Sequence, residues 1–488
     1  MISRRAMLGS AVAAGFRSRA EQADGWAPLF DGRSLKGWRA SENAASWKVV
    51  DGLLTADGPR SHLFYEGPVR GADFKNFELK VDYLTRPGAN SGVYFHTAYQ
   101  QEGWPARGFE VQVNHSHVGE GNYRERKKGG SLYGVRNVYK SWAGDDEWNQ
   151  LHIAVRGKNV QIRLNGMLLV DYVEADPPVI LDKKAPLSSV LGRGTVALQC
   201  HDANSKVMFR NILVSPLADD IVTPGGRPAA DEIYRRLMDL GRRNYPVVDY
   251  HAHLKGGLTI GELLRKGRRE GIQYGVAVNC GRNFPVQDDA GIDRFLEEMK
   301  GQPVFIAMQA EGREWVKMFS PAAVAKFDYV FTDSMTFSDD SGRRMRLWIK
   351  DEVGEIGDRE RFMEMLVDRT VGILDNEPID IYVNPTFLPD VIAADYDRLW
   401  TPGRMQRVVD ALKRNGIAME INNRYRLPGA AFLRLAKSAG VKFAFGTNNG
   451  GRDDLGRLEY GLEMVRQCGL TWQDFFVPNP EKGVRRIF

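Results

Sequence analysis

The sequence predicts two domains of different class, an all-β sandwich followed by an α/β barrel, and three observations carry the prediction. With 488 residues the chain exceeds what one compact core organises and suits two domains of ordinary size. Over residues 26–216, short runs alternate apolar and polar side chains, as in Phe77-Glu78-Leu79-Lys80-Val81-Asp82-Tyr83 and Val160-Gln161-Ile162-Arg163-Leu164. Period two without a long helical stretch marks antiparallel strands that each keep one face on a core. After a polar, Pro- and Gly-containing stretch at 218–228, the pattern changes to short apolar runs separated by helical segments, which is how a parallel barrel reads.

Taken in chain order, the N-terminus opens with Ser3-Arg4-Arg5-Ala6-Met7-Leu8 and a small-residue apolar run from Gly9 to Phe16. Basic residues before a weakly hydrophobic stretch predict a twin-arginine export signal at 1–24 and a periplasmic destination. A basic N-terminal arm is the alternative, because Ser18-Arg19-Ala20 only approximates a cleavage site. The apolar run is too short to span a bilayer, and no other segment reaches that length. The remaining boundaries fall at 25–217 for the sandwich, 218–242 for a linker and 243–488 for the barrel.

Composition narrows the partners. The 67 basic and 62 acidic residues leave a net charge of +5, with no basic stripe beyond a cluster such as Arg124, Arg126, Lys127 and Lys128, so nucleic acid is not expected to bind. The three cysteines, Cys200, Cys280 and Cys468, are too few and too scattered for a disulfide framework or a Cys-rich zinc site. The oligomeric state is not legible.

Polar residues cluster on certain strands in a way that core packing does not require. The run Phe109-Glu110-Val111-Gln112-Val113-Asn114 places Glu110, Gln112 and Asn114 on one face. A second run, Thr195-Val196-Ala197-Leu198-Gln199-Cys200-His201, places Gln199 and His201 together. Amides, a carboxylate and an imidazole, with Tyr and Trp nearby, are the groups that hydrogen-bond and stack on sugars. A small carbohydrate is the expected ligand.

At these residues a resemblance becomes specific. The opening Trp26-Ala27-Pro28-Leu29-Phe30-Asp31-Gly32-Arg33-Ser34-Leu35-Lys36-Gly37-Trp38 is followed by Asn90-Ser91-Gly92-Val93, Gly108-Phe109-Glu110-Val111-Gln112, Glu147-Trp148-Asn149, Leu164-Asn165-Gly166 and Gly194-Thr195-Val196-Ala197-Leu198-Gln199. In this order the motifs resemble the 3-keto-disaccharide hydrolase family. The resemblance implies a concanavalin-like jelly-roll sandwich that cleaves glycosides oxidised at C3. It points to Glu110 as base or metal-side carboxylate, His201 as acid or metal ligand, and Asn90, Gln112 and Gln199 as orienting groups. Asn114 stands where many relatives carry aspartate, although its face keeps it a substrate-binding candidate. A sandwich that only holds a glycan for the barrel is the alternative.

In the second domain, Val247-Val248-Asp249-Tyr250-His251-Ala252-His253 sets two histidines at the end of the first barrel strand. An HxH there resembles the entry ligands of amidohydrolase-like and PHP-type barrels, so the fold expected is TIM-like or a seven-stranded PHP-like barrel with a divalent metal, Zn, Mn or Fe. Of the eight histidines only His251 and His253 lie beyond residue 201, which rules out a trinuclear cluster built on later histidines. Oxygen ligands must complete the set, with Glu311 and Asp333 the candidates and Glu420 a further one. Asn384 and Asn449, with Asn422, Asn423 and Asn448, are read as a neutral mouth for sugar hydroxyls. A metal-dependent hydrolase or isomerase and a degenerate barrel kept for binding both fit this pattern.

Overall fold

A computed structural model of the chain describes residues 25–338 and 343–478; the segment read as an export signal lies outside the described residues. Residues 27–216 form two facing sheets. One has eight strands. The other has five, in the spatial order Trp38–Ala40, Ser61–Tyr65, Thr195–Cys200, Asn90–Thr97, Phe109–Asn114. Alternation dictates what lies between the sheets: in Phe77–Thr85, residues Phe77, Leu79, Val81 and Tyr83 are fully buried while Glu78, Lys80 and Asp82 keep partial contact with solvent. Each such apolar side chain contributes about 1.5–3 kcal/mol. On the five-stranded sheet Phe109, Val111 and Val113 join that core, which turns Glu110 and Gln112 to the other face.

The second domain is a closed, parallel, seven-stranded barrel of Val248–Ala252, Gln273–Cys280, Phe305–Ala310, Tyr329–Thr332, Ile381–Tyr382, Ala418–Asn422 and Phe443–Gly446. The strands fall on short apolar runs of the sequence beyond the linker. The first and third begin two residues after Pro246 and Pro303, which have no N–H for a ladder. Tyr250, Phe305, Tyr329 and Phe331 fill the interior. Among the described residues no helix is long and apolar enough to cross a membrane.

Part of the expected linker is structured. Residues Glu232–Arg242 form a helix, α1, capped by Asp231, whose side chain accepts the Tyr234 N–H at 2.8 Å. Its Leu237 and Leu240 belong to the barrel's core and its Met238 to the sandwich's. The sandwich loop around residue 138 is bonded to the barrel as well. Asn137 Nδ2 donates to the Gly241 carbonyl at 2.9 Å, and Tyr139 donates through its hydroxyl to the Tyr245 carbonyl at 2.8 Å. Its ring joins the cluster inside the barrel. Arg136 donates to the carbonyls of Arg268 and Arg269.

Candidate active site

Two strands of the five-stranded sheet bring the sandwich's polar residues to one place. Across the Asn90–Thr97 and Phe109–Asn114 pairing, Tyr94 stands opposite Glu110 and Gly92 opposite Gln112. Asn90, Glu110, Gln112, Gln199 and His201 all line a cavity of about 560 Å³. The sequence had singled out each of them.

Glu110 is held at the centre. Tyr94 donates its hydroxyl to Glu110 Oε2 at 2.7 Å, and Gln199 Nε2 donates to Oε1 at 3.1 Å and to the Tyr94 oxygen at 2.9 Å. Gly92 leaves the space this needs, since a Cβ there would sit 2.5 Å from Glu110 Oε1. Burial pushes the Glu110 carboxyl up to about 7; repulsion from Glu125 adds to the rise, and the bonds from Tyr94 and Gln199 oppose it. A carboxyl poised near neutrality accepts a proton from carbon and passes it on. Gln112 Nε2 donates to Asn90 Oδ1 at 3.0 Å, so these two amides fix each other.

His201 follows the last residue of its strand. Its Nδ1 donates to Asp202 Oδ2 at 2.6 Å and its ring lies 5.1 Å from Trp104, which leaves Nε2 for the cavity. Asn114 departs from the expected set. It is fully buried, donates to the Lys127 carbonyl at 3.0 Å, and is absent from the cavity wall.

Sequence reasoning missed Tyr94, Trp104, Tyr123, Glu125, Tyr133 and Arg242, which also line the cavity. Tyr94 was within reach, because it shares a strand face with Gly92 by simple parity. Glu125 was not, since its loop has no period. It is buried, takes hydroxyl bonds from Tyr123 and from Tyr133, the latter at 3.0 Å, and lies 3.8 Å from Lys127 Nζ.

At the barrel mouth His251 Nδ1 donates to Glu420 Oε1 at 2.7 Å and His253 Nδ1 to the Ala277 carbonyl at 3.1 Å. Both rings are buried with Nε2 unpartnered, the tautomer in which an imidazole offers a lone pair. Burial, with His251 adjacent, holds His253 well below the usual histidine range, so it is neutral. Glu311 accepts from Asn279 at 2.7 Å and Gln309 at 2.9 Å; Asp333 accepts from Asn384 at 2.9 Å. The two imidazoles suit a divalent ion. The full set does not: among the described residues no three His, Cys, Asp or Glu side chains are gathered to hold a metal. Two of the expected sugar contacts also have other work. Asn384 binds Asp333, Asn422 and Asn448. Asn449 is fully buried, with its amide hydrogens on the carbonyls of His253 and Gly451 and its oxygen on the His253 N–H, so it pins a loop.

An all-β sandwich with a carboxylate, an imidazole and aromatic rings round one cavity presents the groups that hydrogen-bond and stack on sugars. Comparison with known proteins agrees for the sandwich. Residues 25–215 match the family model of the 3-keto-alpha-glucoside-1,2-lyase-like domain, and form a 3-keto-disaccharide hydrolase-like domain. A 3-keto-disaccharide hydrolase of Bacteroides thetaiotaomicron is 32% identical over 82 residues, 15% of this chain and 28% of that protein. The match thus spans well under half the length of that relative. Among solved structures, a candidate glycosyl hydrolase from Parabacteroides distasonis is 21% identical with a TM-score of 0.36, covering 42% of this chain and 99% of its own. A carbohydrate-binding module from Bacillus subtilis is 14% identical with a TM-score of 0.26, covering 37% and 95%.

Proposed function

We propose that the sandwich cleaves glycosides oxidised at C3 by elimination across C1 and C2, with Glu110 as the base. The observation that carries this reading is the Glu110 carboxylate, held by Tyr94 and Gln199 with its pKa raised to about 7, in the wall of a cavity wide enough for a sugar.

A carbonyl at C3 makes the C2 proton acidic. Ionised Glu110 takes that proton, and the C–H electron pair passes into the C2–C3 enolate. A donor near the developing oxyanion lowers the barrier; Gln112, with one amide hydrogen on Asn90, has a second to offer. The enolate collapses to a C1–C2 double bond as the C1–O bond breaks, and His201 gives a proton to the departing oxygen. Water then adds to the unsaturated product at C1 and C2, completing a net hydrolysis. General-base catalysis of this kind contributes about 10²–10⁴-fold.

For the barrel, the paired ring nitrogens of His251 and His253 support a second site at its mouth for a related sugar. Incubating the chain with 3-keto-trehalose and following release of the free sugars tests the main reading; a chain that binds the compound without cleaving it would make the sandwich a binding module.

A further inference from the structure

Arg242 lines the same cavity as Glu110, yet it lies outside the matched residues 25–215, on the last turn of α1. Three contacts keep it there. Asn137 of the sandwich binds the Gly241 carbonyl at 2.9 Å, Met238 is buried in the sandwich core, and Arg242 Nη2 donates to Asp182 Oδ2 at 2.6 Å. Gly134, another cavity residue, lies against the Arg242 backbone, where a Cβ would come 3.7 Å from its Cα.

Resting on the proposed function above, we propose that Arg242 is a specificity-determining residue which binds the hydroxyls of a second, neutral sugar ring. A cavity of about 560 Å³ falls in the range that encloses ligands larger than one sugar. Tyr94 and Gln199 bond to Glu110, whereas Arg242 bonds to Asp182, away from the base. Asp182 neutralises the guanidinium, so Arg242 offers N–H donors without net charge. That arrangement suits hydroxyls better than a carboxylate or phosphate.

The test compares a 3-keto-disaccharide with methyl 3-keto-glucoside on the full chain. Arg242→Ala and Arg242→Gln should each lower kcat/KM for the disaccharide roughly tenfold, mainly through KM, and change it less than about threefold for the methyl glycoside. Asp182→Asn, which uncovers the charge, should shift preference toward a disaccharide whose second ring carries a carboxylate. Equal losses on both substrates, or none on either, would overturn the role of Arg242 while leaving the Glu110 reading intact. A wild-type chain that cleaves neither compound would overturn both.

Discussion

Tyr94 and Glu110 face each other across two paired strands, and the phenol donates to the carboxylate at 2.7 Å while accepting from Gln199 at 2.9 Å. The hydroxyl is thereby oriented from one side and holds Glu110 from the other.

The pH dependence follows. The reaction needs ionised Glu110, so kcat/KM should rise tenfold per pH unit below about 7. Tyr94→Phe removes a bond that favours the ionised form, so the rising limb should move to higher pH. Stability carries the opposite sign. A carboxyl whose folded pKa lies above its ordinary value binds more protons folded than unfolded, so its contribution to stability falls as pH climbs from about 4.5 through about 7. A limb that stays in place in Tyr94→Phe would show that another group sets it.

Gly92 makes the same point sterically. Gly92→Ala would put a methyl group 2.5 Å from Glu110 Oε1, and a displacement of about 1 Å at a catalytic group costs on the order of 10²-fold in rate. The expected result is that loss in kcat with the melting temperature within a few degrees of wild type. Steady-state kinetics and a thermal melt check it.

How much of this was legible in the sequence depended on whether a residue sits in a periodic element. The barrel strands were readable because fully buried strands leave unbroken apolar runs, as in Phe443–Gly446. Glu110 and Gln112 were placed by strand parity. Parity failed for Asn114, the last residue of its strand, where the Lys127 carbonyl takes the side chain. Glu125 and Tyr133 sit in a loop whose path follows from tertiary bonds, and Arg242 reaches the cavity on a helix read as linker. The asparagines after the last barrel strand looked like sugar contacts, but a buried loop must satisfy its own backbone first, and Asn449 does that for His253.

Tyr139 should couple the two domains. Its ring lies among the side chains inside the barrel while its hydroxyl holds the Tyr245 carbonyl and its N–H donates to Gln273 Oε1 at 2.8 Å. Tyr139→Ala empties that position and leaves the Tyr245 carbonyl without its donor, at a cost of about 3 kcal/mol or more. Denaturant melts should show one transition in wild type and two in the variant; an unchanged melt would argue against the interface.

The barrel mouth should be separable from the sandwich's chemistry. His251 binds Glu420 and lies in the other domain from Glu110, and distant sites without shared partners act nearly additively. His251→Ala should leave cleavage of a 3-keto-glycoside within about twofold of wild type. Loss of cleavage in this variant would move the catalytic centre to the barrel and leave the sandwich as its sugar-binding partner.

The most direct measurement is exchange of the C2 proton of a 3-keto-glycoside for deuterium in heavy water, followed by NMR with wild type and Glu110→Gln. The amide keeps the shape of the carboxylate but has no basic oxygen to take the proton. Wild type should catalyse exchange and cleavage together, and Glu110→Gln should lose both by at least about 10²-fold while still binding the substrate. Exchange that persists in Glu110→Gln would contradict the assignment of Glu110 as the base.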